Sequence, residues 1–167
     1  MFGFGKKKKV AEDNTIYAPV TGKVIDLSEV SDPVFAQKAM GEGLGVKPSD
    51  GRIVSPVAGT VTMVASTKHA LGIKMANGLE VLVHMGVDTV DLKGAPFTIS
   101  VKVGDIVNGG DAIATMDLDQ VRDAGLDDVI IVVITNSADK LDHLDHLDLT
   151  AGDTTAKSQV GSVTVKN

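Results

Sequence analysis

The 167-residue chain is 43% hydrophobic but only 3% aromatic, so its core must be built from aliphatic side chains. Sixteen Lys and Arg against 22 Asp and Glu leave a formal charge of −6, which argues against a surface for a nucleic-acid backbone. Without cysteine there is no disulfide framework, thiolate nucleophile or Cys-ligated metal, and no apolar run approaches the ~18 residues of a spanning helix.

The opening "MFGFGKKKKV" sets Phe2 and Phe4 ahead of Lys6–Lys9 and lacks the apolar stretch and cleavage site of a secretory signal. Residues 1–14 read as a flexible basic tail, and 15–167 as one domain, expected in the cytoplasm. The tail lysines would each add about 1 kcal/mol to a weak touch on an anionic membrane. A first strand is expected over 16–26, where "IYAPVTGKV" is echoed by "IVSPVAGTV" at 53–61. The pairs Ile16/Ile53, Pro19/Pro56, Val20/Val57, Gly22/Gly59 and Val24/Val61 keep one spacing, so a bent strand unit occurs twice.

"SDPVFAQKAMGEG" (31–43) reads as a helical turn or ordered loop, and the glycines of "GEGLGV" (41–46) as turn residues. The latter is not a phosphate-cradling loop, because the strand–helix context and the Lys-Ser/Thr ending are missing. Further strands are expected at 53–65, 68–75, 79–87, 97–103, 111–116, 129–135 and 160–166, with a hairpin turn at Asn108-Gly109-Gly110. A short helix is expected over 117–125. "DKLDHLDHLDL" (139–149) has helical spacing, with His143 and His146 on a solvated face and Leu141, Leu144 and Leu147 on an apolar one. Short strands with regular turn signals predict an antiparallel β-sandwich or barrel.

In "VLVHMGVDTV" (81–90), Val81, Val83, Met85 and Val87 share one face of a strand while His84 points the other way with Leu82. Upstream, Asn77-Gly78 is a strong hairpin signal. A two-residue turn there places Leu71 opposite His84 and makes His69 its diagonal neighbour, with backbones about 7–8 Å apart. Thr67, Leu71, Ile73, Leu82 and Gly86 would surround the pair, and a register slip of one residue would separate the rings. Two neighbouring imidazoles can do nucleophilic chemistry: one ring attacks phosphorus or an acyl carbon, and where a phosphoryl group arrives the other steadies its charge, its tautomer set by the Thr67 hydroxyl. Gly86 beside the nucleophile would leave room for a partner. No metal or other cofactor is needed. His69, His84 and Asp88 could form a zinc site, but without further ligands incidental zinc capture at the two histidines is the better metal reading.

At this point the residues resemble a family. "TKHALGI" followed by "VLVHMGVDTVDLKG" is similar to the glucose-type enzyme IIA domain of the bacterial phosphoenolpyruvate-dependent sugar phosphotransferase system. The likeness continues through "YAPVTGKV", "VSDPVFAQKAMGEGLGVKP", "VSPVAGTV", "VKVGD" and "VITN", over roughly residues 16 to 167. It implies an all-β, antiparallel β-sandwich of duplicated hybrid-motif type with one or two short helices. It also implies that His84 carries the phosphoryl group, that His69 stabilises it, and that Thr67 orients His69. The implied donor is the carrier protein HPr, and the implied acceptor is a cysteine of an enzyme IIB domain. Val34, Phe35, Met40 and Leu82, with Asp32 and Asp88 as acids, match the family's docking face. Control of permeases or kinases by phosphorylation state is a second implied role, and the sugar stays open.

The sequence departs from the family in having Leu71, Leu82 and Met85 where aromatic residues are frequent, which bears on partner choice. A rival from another class is a biotinyl or lipoyl carrier acylated on Lys74 of "GIKMANG". It needs Lys74 at a hairpin tip, where Asn77-Gly78 stands instead.

Overall fold

The structure, a computed structural model, describes residues 9–146 and 153–167. Most of the expected tail therefore lies outside the described residues. Within its last residues, Tyr17 Oη donates to Asp13 and Val163 N to the Asn14 carbonyl, at 2.5 and 2.9 Å, so the domain already holds positions 13 and 14.

In chain order the elements are β1 (Thr15–Tyr17), β2 (Gly22–Asp26), α1 (Pro33–Ala36), β3 (Glu42–Pro48), β4 (Arg52–Val54), β5 (Gly59–Val64), β6 (Ala70–Lys74), β7 (Glu80–Met85) and β8 (Phe97–Ile99). There follow β9 (Ile106–Val107), β10 (Ala112–Met116), α2 (Leu118–Asp123), β11 (Ile130–Ile134), α3 (Ser137–Lys140), β12 (Leu141–His146), β13 (Asp153–Thr154) and β14 (Gln159–Val165). The sheets are antiparallel and open. One has the order β13-β2-β3-β11-β7-β6-β5-β9, and two smaller ones run β1-β14-β12 and β4-β10-β8.

The repeated unit explains the centre of the fold. Each copy is two strands rather than one, broken where buried Pro19 and Pro56 interrupt the ladder. The two copies bond reciprocally. Tyr17 N donates to the Pro56 carbonyl, and Val54 N to the Pro19 carbonyl, at 2.7 and 2.8 Å. Since these pairs occupy matching positions, an approximate two-fold relates the halves.

Two expectations are corrected. The glycines at 43 and 45 are not in a turn but inside β3, which pairs with β2 and β11. A Cβ on Gly43 would lie 1.9 Å from the Val132 carbonyl oxygen, so a strand without a side chain there is what lets the backbones approach. Helical spacing at 139–149 also misleads: only Ser137–Lys140 is helical, and Leu141–His146 pairs with β14 as a strand. The free β14 edge supplies backbone partners that an isolated helix would lack. Residues 147–149 and the His146 side chain lie outside the described residues.

The core has two parts because the large sheet is covered on both faces. Val81, Val83 and Met85 of β7 meet Ile130, Val132 and Ile134 of β11 in the larger cluster, between the sheets. On the opposite face a smaller cluster joins Ile131 and Val133 to Ile25, Leu27, Val30, Phe35 and Val87, with Leu82 packed against it. Val87, expected beside Val83 and Met85, belongs to this second cluster, since Gly86 at φ +80° turns the chain between them. His84 emerges on this second face.

Candidate functional site

The β6–β7 hairpin differs from its expected register by one residue. Ala70, not Leu71, stands opposite His84, and Met75 N donates to the Leu79 carbonyl at 2.9 Å. The loop is therefore three residues long, Ala76 to Gly78, closed by Gly78 at φ +93°. Leu71 and Ile73 consequently face the main core, fully buried, and do not surround the histidines, while Met85 faces that core as the strand alternation predicts. Of the three departures from aromatic residues, only Leu82 shares the histidine face.

A slip of one residue should have parted the rings, yet they meet. His69 lies outside β6, in the turn that joins β5 to β6, where Lys68 N donates to the Ala65 carbonyl at 2.8 Å. Lys68 takes φ +60°, and the chain leaves strand alternation before reaching His69. The His69 and His84 rings are 5.1 Å apart, nearly edge to face at 80°. Small Ala70 opposite His84 leaves space for that approach.

Each ring is fixed through Nδ1. His84 Nδ1–H donates to the Gly86 carbonyl at 2.7 Å, which leaves Nε2 with its lone pair. His69 Nδ1 is 2.6 Å from Thr67 Oγ1. Gly86 is buried and does not make room for a partner, contrary to expectation. Its carbonyl holds the His84 tautomer, and its φ of +80° fits a residue without Cβ. Thr89 Oγ1 donates to the Met85 carbonyl at 2.5 Å and secures the same turn. The spacing of Thr89 gave no signal of this role in the sequence.

Burial holds His84 below the ordinary histidine range. The bond to Gly86 opposes that shift, the charge of His69 adds to it, and the carboxylates of Asp32 and Asp88 oppose it. Burial likewise lowers His69. Both rings are thus neutral nucleophiles or acceptors near pH 7. The stability consequence has a definite sign. The unfolded chain binds protons at these histidines at higher pH than the folded one, so their contribution is complete above about 6.5 and is lost as pH falls through the folded values. His143, raised by Asp142 and Asp145, acts in the opposite sense. The difference in urea-unfolding stability between wild type and His84→Gln should therefore shrink as pH is lowered below that range. A difference that stays constant would contradict a depressed His84.

The ring of Phe35 lies 5.0 Å from that of His84 and is only 6% exposed, so Phe35 supports the imidazole from below and is not presented on a docking surface. Asp32 caps α1, accepting from Val34 N at 2.8 Å. Val34 and Met40 are 50% and 38% exposed, and Val90 beyond the Gly86 turn is 45% exposed, a residue that sequence reasoning missed. Asp88, at φ +60°, is exposed. Among the described residues, no His, Cys, Asp or Glu joins the two histidines in a group of three able to hold a metal ion. Lys74 lies within β6, opposite Glu80, away from the hairpin tip.

A family model described as the phosphoenolpyruvate-dependent sugar phosphotransferase system, EIIA 1, matches residues 14–140. A glucose-specific EIIA component of that system from Staphylococcus aureus is 48% identical over 134 residues, covering 80% of this chain and 81% of the relative. The namesake from Halalkalibacterium halodurans is 46% identical over 140 residues, with 81% of both chains covered. Among solved structures, the glucose permease IIA from Mycoplasma capricolum superposes with a TM-score of 0.78 at 31% identity, covering 96% of this chain and 98% of its own.

Proposed function

The chain belongs to the EIIA 1 family of the phosphoenolpyruvate-dependent sugar phosphotransferase system and has a phosphocarrier role there, and on that premise we propose that His84 is the residue that carries the phosphoryl group. The observation that supports this most is the pairing of two neutral imidazoles 5.1 Å apart, each with Nδ1 already engaged. Nε2 of His84 attacks the phosphorus of phospho-HPr. The new P–N bond forms as the donor's P–N bond breaks, and the electron pair leaves on the donor ring. The Gly86 carbonyl then accepts a bond from a ring that has become more cationic, which strengthens it. With the Thr67 hydroxyl donating to His69 Nδ1, His69 Nε2 carries the proton and donates to a phosphoryl oxygen. In the second half of the cycle a cysteine thiolate of an enzyme IIB domain takes the phosphoryl group.

Docking of HPr and IIB falls on Val34, Met40, Leu82 and Val90, ringed by Asp32 and Asp88, which suits basic partners. The name of the relatives points to glucose as the sugar served. Incubation with phosphoenolpyruvate and the general components should place one acid-labile phosphate on the chain and pass it to a glucose-type IIB domain. His69→Ala should still accept the group but pass it on about a hundredfold more slowly, having lost one charge-stabilising donor. Acid-stable labelling, or onward transfer at the wild-type rate in His69→Ala, would contradict these roles.

A further inference from the structure

His84 is held from two sides, and one residue distant from both in sequence is bonded to each. On one side stands the Gly86 turn. Gly86 N donates to the Val129 carbonyl at 2.7 Å and Val87 N to the Asp127 carbonyl at 2.9 Å, so this turn is stitched to the loop before β11. On the other side stands Phe35, its ring 5.0 Å from that of His84, on the four-residue helix α1. Asp127 reaches both. Its Oδ1 accepts from Val129 N at 3.0 Å, and its Oδ2 from Ser31 Oγ at 2.8 Å, just ahead of α1. Among the described residues, the side chains of 27–41 form hydrogen bonds and ion pairs within that segment or with its flanks at Asp26 and Glu42, and only Ser31 reaches another part of the fold. The other hold on α1 is apolar: Leu27, Val30 and Phe35 share the smaller cluster with Val87 and Val129. Such contact fixes how deep a side chain lies but not its direction, whereas a hydrogen bond is directional. A single helical turn brings little rigidity of its own.

We propose that Asp127 is a positioning residue for phosphoryl transfer, acting through Ser31. Its carboxylate aims α1, and so the Phe35 ring, at the Gly86 turn that its own backbone carbonyl helps to hold. The inference rests on the reading of His84 as phosphoacceptor and deepens it. Asp127 acts through these neighbours and not on the reacting atoms. It keeps the two supports of the imidazole in one alignment, so that Nε2 of His84 points along the line of attack when the donor docks. Val34, exposed on the same helical turn, is kept on the docking face by the same bond.

The test uses two substitutions at one exposed position. Ser31→Ala removes the bond without opening the core, and Ser31→Thr keeps the hydroxyl. Transfer from phospho-HPr gives kcat and KM. Proton NMR of the His84 ring, assigned by its absence in His84→Gln, reports where the Phe35 ring lies. Ser31→Ala should lower kcat about three- to tenfold, a fraction of the hundredfold that a full ångström of misplacement costs. It should also shift the His84 ring resonances, with little change in the urea midpoint. Ser31→Thr should recover most of the rate and the wild-type resonances. In an Asp127→Ala background, Ser31→Ala should add nothing, because the bond is already gone. If Asp127→Ala does not fold, the two Ser31 variants decide alone. A wild-type kcat in Ser31→Ala would overturn the proposal, and a rise in KM alone would make Ser31 a docking contact instead. Slower transfer with the resonances unmoved, or a Ser31→Thr chain as slow as Ser31→Ala, would overturn it likewise. If His84→Ala still accepts phosphate, the reading of His84 fails instead, and the two failures are told apart.

Discussion

A chain carrying His84→Ala takes no phosphoryl group from phospho-HPr, while His84→Gln and His84→Ala both remain folded. This is the largest effect expected of any substitution, because on the reading proposed above the replaced ring carries the nucleophilic nitrogen. Among the described residues His69 is the one other imidazole beside His84, and its Nδ1 is engaged by Thr67. Stability should fall modestly. The His84 ring is half-buried against Phe35, and removing it opens a gap that solvent can enter, at a cost of about 1–2 kcal/mol. Acceptance of label is measured with phosphoenolpyruvate and the general components, and folding by urea titration. Label that persists in both variants at a stoichiometry near one would move the acceptor elsewhere, first to His69.

The site was legible in the sequence for a reason that differs from the one first given. The strand alternation around His84 is correct from Val81 to Met85, since β11 and β6 on either side enforce it. The hairpin register is not, because Asn77-Gly78 also suits a three-residue loop in which glycine alone takes the positive φ. The histidines come together because the chain bends at Lys68, a backbone event that no hydrophobic period encodes. His69 therefore does not follow the strand alternation, although its carbonyl still accepts from Met85 N at 2.8 Å. β3 was hidden for a related reason. Gly43 and Gly45 carry no hydrophobic signal, yet their lack of side chains is what the neighbouring strands require. The Leu-Asp-His repeat at 141–146 satisfies a helical period, and only the presence of β14 decides for a strand. The repeated Pro–Gly unit, by contrast, was readable because each copy needs its breaks at the same places to bond to the other.

The second large effect is expected at Gly86, where backbone geometry and chemistry meet. An alanine there must hold φ near +80°, which costs about 1–2 kcal/mol for an L-residue. Its Cβ would also stand 2.4 Å from Thr89 Cγ2 and 2.9 Å from the Asp127 carbonyl oxygen. The first neighbour is part of a buried side chain tied to the Met85 carbonyl, and the second is backbone, so neither moves freely. Overpacking of this kind adds about 1–3 kcal/mol, so Gly86→Ala should lose about 2–5 kcal/mol in urea unfolding. It should also lose most phosphoryl acceptance, since any shift of the turn displaces the carbonyl that holds His84 Nδ1. The two contributions separate in double variants. Adding Thr89→Ser removes Cγ2 but keeps the hydroxyl bond to Met85, so part of the stability returns and the φ cost remains. Adding Thr89→Val keeps a methyl group in the way and deletes that bond, so nothing returns. A Gly86→Ala chain as stable and as active as wild type would mean that the turn does not hold the imidazole, and that the His84 tautomer is set by some other contact.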